Sequence, residues 1–154
     1  MGSMAEWIVA LGMYLIFMLA VVVAYYVVYA LAHMKALNTL GYDKAWLAWI
    51  PFVNYYAYAE ETSDNQETVN LFGTLSVPVV VYKFWWVGMI IIYFIPGVGA
   101  FLATVLRVVF LGTCYQKMYA KLECTSEQEQ QAIGYISGFI PLVAVVKFLS
   151  GKYK

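Results

Sequence analysis

Charge is scarce in this sequence: only 12% of its 154 residues are Asp, Glu, Lys or Arg, about half the share of a soluble globular domain. Nine basic residues balance nine acidic ones. A neutral chain lacks the basic surface that binding to a phosphate backbone needs, so nucleic acid is excluded as a partner. Histidine occurs once, at His33. With no second histidine and no Glu-x-x-His context it predicts a solvated connector residue and no metal site. The two cysteines, Cys114 and Cys124, match no zinc or redox spacing and are expected to be structural. Glu60, Glu61, Asp64 and Glu67 lack the spacing of a calcium loop. No nucleophile elbow, phosphate loop or paired intramembrane carboxylates are present, so the sequence predicts no enzyme and no cofactor.

Apolar residues fill the space instead. They make up 64% of the chain, and aromatics alone 18%. So much apolar surface on so short a chain predicts an all-α integral membrane protein, with hydrocarbon as its solvent. Met1-Gly2-Ser3 reads as a cloning scar and residues 4–154 as one membrane domain. The first apolar run, about 8–32, is too long for a signal-peptide core and predicts an uncleaved span. Further spans are expected at about 78–95, 100–119 and 131–149. The segment 45–59 is short, Trp- and Tyr-rich and broken by Pro51. It predicts a re-entrant or interfacial helix-break-helix, which leaves four spans and both termini on one side. Pro96-Gly97 turns the second span back into the third as a helical hairpin.

Three short motifs share one pattern. Trp49-Ile50-Pro51-Phe52-Val53, Phe94-Ile95-Pro96-Gly97-Val98 and Phe139-Ile140-Pro141-Leu142-Val143 recur at equal spacing, which suggests an internal repeat of about 45 residues. A residue before proline is pushed out of the helical region, and proline suits a helix's first turn. Pro51, Pro96 and Pro141 therefore predict helix breaks, at similar depth.

The run Trp46-x-x-x-Ile50-Pro51-Phe52-x-Asn54-x-Tyr56 resembles the hallmark of an uncharacterised bacterial family of small multi-pass membrane proteins, some of them fused to a signal peptidase. Phe84-Trp85-Trp86 leading to Ile95-Pro96 is similar to that family's second motif, although Gly99 stands where it often has Asn. The resemblance covers roughly residues 35–121. It implies a bacterial cytoplasmic membrane and no established activity.

Arg107 is the sharpest candidate for chemistry. It lies inside the apolar run LATVLRVVF, where a charge is costly and marks a pathway or a site. Lys83 sits as far before the hairpin turn as Arg107 does after it. The two are expected at one level, facing an anion such as a lipid headgroup, or snorkelling to one interface. Asn54, Tyr55 and Tyr56 complete the candidate headgroup set, Asn54 also as a helix cap and the tyrosines as interface anchors. The expected function is a non-catalytic module that binds membrane lipids or a membrane-protein partner. The alternative is a small transporter or channel acting as a homo-oligomer, with Lys83 and Arg107 as an anion site.

Overall fold

The computed structural model describes residues 3–153; Met1 and Gly2 of the amino-terminal tripeptide, and Lys154, lie outside them. The chain is mostly helical, at 74%. The first helix, α1 (Met4–Leu40), is 37 residues long, about 55 Å at 1.5 Å per residue. Ser3 and Glu6 cap its start reciprocally, and Gly41 ends it in the left-handed conformation at φ 84°. Only its last third is buried, through Tyr29, Ala30, Ala32, His33, Ala36 and Leu37. The helix therefore runs past the boundary expected at Ala32, because residues 33–40 pack on the core instead of forming a polar connector.

A 3-10 turn (Ala45–Trp49) follows, then α2 (Val53–Thr62). Between them Pro51 and Phe52 reverse the chain, with Phe52 at φ 66°. The Tyr26 hydroxyl donates to the Trp49 carbonyl at 2.6 Å near this reversal. At the other end the Tyr42 hydroxyl donates to the Glu60 carboxylate. Residues 42 and 60 thus meet, so the segment between them leaves and returns to the same place.

Residues Thr68–Leu71 and Leu75–Pro78 form an antiparallel hairpin, β1–β2, turning at Gly73 with φ 73°. The sequence expectation places no element between residues 59 and 78. The alternation is legible in retrospect, since Val69 and Leu71 are buried while Thr68 and Asn70 are exposed. Phe72 in the turn stacks on Tyr135 at 4.9 Å.

Helices α3 (Val79–Tyr93) and α4 (Gly99–Glu123) make the expected hairpin. Its register is set by Trp85, stacked on Phe110 with ring centroids 5.7 Å apart and planes 9° apart. A Cβ on Gly99 would overlap the carbonyl of Ile92, so glycine permits the tight closure. Helices α5 (Gln131–Phe139) and α6 (Pro141–Ser150) then replace the single span expected at 131–149. Pro141 lacks an N–H and forces Ile140 out of helical geometry, to φ −118° and ψ 90°. The chain doubles back there, and Lys147 returns to Glu123 at 2.7 Å and to Gln130 at 3.3 Å. α5 lies against α4 through glycines: a Cβ on Gly138 would sit 2.8 Å from the Gly112 nitrogen, and one on Gly134 would sit 2.7 Å from the Gln116 nitrogen.

Each of Pro51, Pro96 and Pro141 stands at a reversal. Phe139 lies beside Arg107, and Phe52 and Phe94 line one pocket with it. The first and last described residues lie at opposite ends of α1. Lys35 near the end of α1 donates to the carbonyls of Leu149 and Gly151 at 3.1 and 3.2 Å, while Ser3 caps the other end of the same helix.

Two helices, α1 and α4, are long and apolar enough to cross a membrane. The core collects at the opposite end from Ser3, around Tyr58, Tyr82, Tyr115, Tyr119, Phe148 and His33. The charged residues cap that core: Lys117 pairs with Glu127, Lys121 with Glu61 and Asp64, and Lys83 with Glu60.

Candidate functional site, a pocket at Arg107

Arg107 occupies the middle of α4 and lines a pocket of about 500 Å³. Phe52 and Tyr55, from the start of α2, close one end. Met89 and Tyr93 from α3, Phe94 just past its end, and Ala103 and Thr104 from α4 form the walls. Tyr93 and Phe94 are well exposed at the mouth, beside the Pro96-Gly97 turn. A terminal nitrogen of Arg107 donates to the Phe139 carbonyl at 3.4 Å. That carbonyl is one of those left free where Pro141 ends α5, and a cation beside a helix C-terminus is favourable. The Arg107 Nε is buried without a partner.

The other expected headgroup residues divide. Tyr55 joins Arg107 in the pocket. Lys83 does not: the Trp85–Phe110 stack sets it nearer the charged end, where its ammonium lies 3.6 Å from Glu60. An acidic partner for Lys83 was missed because Glu60 is remote in sequence and arrives only when the Pro51 reversal brings α2 back. Tyr56 points to the same carboxylate, donating to Glu60 at 2.8 Å. Asn54 is buried at 4% exposure, and its side-chain oxygen has no partner.

Glu60 is thus the hub of the charged end. Burial pushes its carboxyl up, but hydrogen bonds from Tyr42 and Tyr56 and the charges of Lys83 and Lys44 outweigh burial and hold it below the usual carboxylate range. Burial raises the Tyr42 phenol, and its bond to Glu60 raises it further. Tyr42 stays a neutral donor.

His33 is not a solvated connector. It is fully buried, with its ring 4.0 Å from Tyr29, 5.0 Å from Tyr58 and 5.1 Å from Phe148. Nδ1 meets the Tyr29 carbonyl at 2.7 Å, and a carbonyl only accepts, so Nδ1 carries the proton. Nε2 then accepts from the Tyr115 hydroxyl at 2.8 Å. Sequence reasoning missed this cluster, because its members lie far apart in the chain; the aromatic spacing of Tyr25, Tyr29 and His33 along one helix face was the available signal. Among the described residues no group of three His, Cys, Asp or Glu side chains is placed to hold a metal ion.

Comparison with family models, with characterised sequences and with solved structures returned no match. The Arg107 pocket offers one cation, an open mouth at Tyr93 and Phe94, and apolar walls.

Proposed function

We propose that this chain is a non-catalytic membrane module that binds a lipid-like anion at Arg107. The observation that carries the reading is the position of that side chain. Among the described residues, the charged groups other than Arg107 and Glu6 belong to the loops and helix ends of the charged face, whereas Arg107 lines an apolar pocket. From Lys117 to Val98 the α3–α4 hairpin is about 28 Å long, close to the roughly 30 Å of a bilayer's hydrocarbon core. Exposed Val80, Phe84, Ile91, Phe101, Ile136, Leu142 and Val146 face outward over this stretch, which suits lipid. α1 exceeds that thickness, and tilt and local thickening accommodate the excess. In this reading α1, α3 and α4 cross, while the Pro51 and Pro141 reversals are re-entrant and lined by protein. The Trp46 to Tyr56 motif adds the bacterial cytoplasmic membrane as the location.

The test is native mass spectrometry from mild detergent. Wild type retains a bound anionic lipid-like species, and Arg107→Ala loses it while keeping its helical circular dichroism. Equal retention by both proteins overturns the reading. A second reading, an oligomeric transporter, draws on the two proline-broken reversals that end beside Arg107, a feature of transporter sites. It requires an oligomer in the same spectra and Arg107-dependent anion flux in proteoliposomes.

A further inference from the structure

We infer that the ligand of the Arg107 pocket is a single-chain carboxylic acid dissolved in the hydrocarbon, not a bilayer phospholipid. This rests on the membrane reading above and adds the chemical class of ligand.

Depth is the first argument. Arg107 is about ten residues from Lys117 and about nine from Val98, hence roughly 14–15 Å from either end of the hairpin. A phospholipid keeps its phosphate at the boundary of the hydrocarbon, about 15 Å from the midplane. Neither leaflet's phosphate meets Arg107 without leaving its layer. A free acid has no glycerol anchor and reaches the middle at little cost.

Charge is the second. The pocket holds one cation, because Lys83 is committed to Glu60. Lone positive charge at mid-depth costs several kcal/mol or is neutralised by a partner. The acids that pair within the chain, Glu60, Glu61, Asp64, Glu123 and Glu127, all serve lysines at the charged face. Phe139 supplies only a carbonyl dipole, at 3.4 Å. A carboxylate fits a guanidinium side by side through two hydrogen bonds, and the neutral pair is far less costly than the bare cation.

Shape is the third. The groove runs from Arg107 toward Phe94 between α3 and α4, walled by Met89, Ile90, Tyr93 and Ala103. Exposed Tyr93 and Phe94 mark its open end, beside the Pro96-Gly97 turn. About 500 Å³ lies in the range of small-ligand sites.

Equilibrium binding of radiolabelled palmitate tests this, with the full chain in phosphatidylcholine nanodiscs. Saturable binding of one palmitate per chain is expected, weakened about tenfold or more in Arg107→Gln. It should be partly recovered in Arg107→Lys, unchanged in Lys83→Gln, and not displaced by phosphatidylglycerol in the disc. Circular dichroism and monodispersity confirm that each variant is folded, and Arg107→Lys keeps the test informative if the glutamine variant is not. Binding unaltered by both Arg107 variants, or displacement by phosphatidylglycerol, overturns the inference. Arg107-dependent retention of phosphatidylglycerol without palmitate binding overturns the ligand class and leaves the lipid-binding reading standing. Failure of both lipids to bind overturns both.

Discussion

The Nε2 of His33 accepts a hydrogen bond from the Tyr115 hydroxyl at 2.8 Å, tying the buried end of α1 to the middle of α4. Around this bond Tyr29, Tyr58 and Phe148 pack on the same imidazole, so residues from α1, α2, α4 and α6 share one centre. His33→Phe fills similar space but leaves the Tyr115 hydroxyl without its acceptor, at a loss of about 1–3 kcal/mol. His33→Ala opens a cavity as well and loses roughly 2–5 kcal/mol. Thermal unfolding in detergent should rank wild type, His33→Phe and His33→Ala in that order.

Glycine sets how closely α5 approaches α4. A methyl group at position 138 would press on backbone atoms of Gly112 and Val108, at 2.8 to 3.0 Å. Backbone cannot swing aside as a side chain can, so Gly138→Ala should destabilise by about 1–3 kcal/mol. Gly88, also helical, has nothing within 4 Å of its would-be Cβ. Gly88→Ala should be neutral or stabilising by up to about 1 kcal/mol, since alanine loses less backbone freedom. Paired melting curves of the two variants check both signs, and a lower melting temperature for Gly88→Ala than for Gly138→Ala would refute the packing account.

Acid should loosen the charged end. Tyr42 and Tyr56 donate to Glu60, and Lys83 and Lys44 attract it, which together lower its carboxyl below the ordinary value against the opposing effect of burial. A depressed carboxyl stabilises the fold above its unfolded-state value, and the contribution fades as pH falls through the carboxylate range. Glu60→Gln should therefore lose about 1 kcal/mol at neutral pH, and should converge with wild type only as pH falls below the ordinary glutamate range, through the depressed folded-state value. A constant gap between the two melting temperatures across that range would show that Glu60 ionisation is not involved.

Much of this arrangement is legible in the chain before folding, and the parts that are not have definite causes. The helical hairpin around Pro96-Gly97 follows from local turn chemistry, and the return of residues 45–59 from their length and Pro51. Pro141 carries the same local signal as Pro51, but the apolar run around it is long enough for one span. Only the Lys147–Glu123 pair reveals that the chain doubles back. Lys83 and Arg107 seemed level because counting from the turn assumes a symmetric hairpin. The Trp85–Phe110 stack shifts the register, and long-range side-chain packing of this kind leaves no local pattern. His33 shows the same limit. A lone polar residue beside an apolar run is ordinarily solvated, and the Tyr115 and Tyr58 side chains that bury it come from distant positions. Arg107 stands out within its apolar run, but the walls of its pocket are supplied by three separate helices.

In the proposed arrangement the chain crosses hydrocarbon with its ends on opposite faces, while the Pro51 and Pro141 reversals return to the charged face. Site-directed thiol labelling in sealed vesicles tests it most directly, using single cysteines at Ser3, Ser126 and Ser150 in a background with Cys124→Ser and Cys114 left buried. An impermeant maleimide should reach positions 126 and 150 from one side and position 3 only from the other. Labelling of positions 3 and 150 from the same side, or of all three in vesicles from which alkaline carbonate strips the protein, would contradict it.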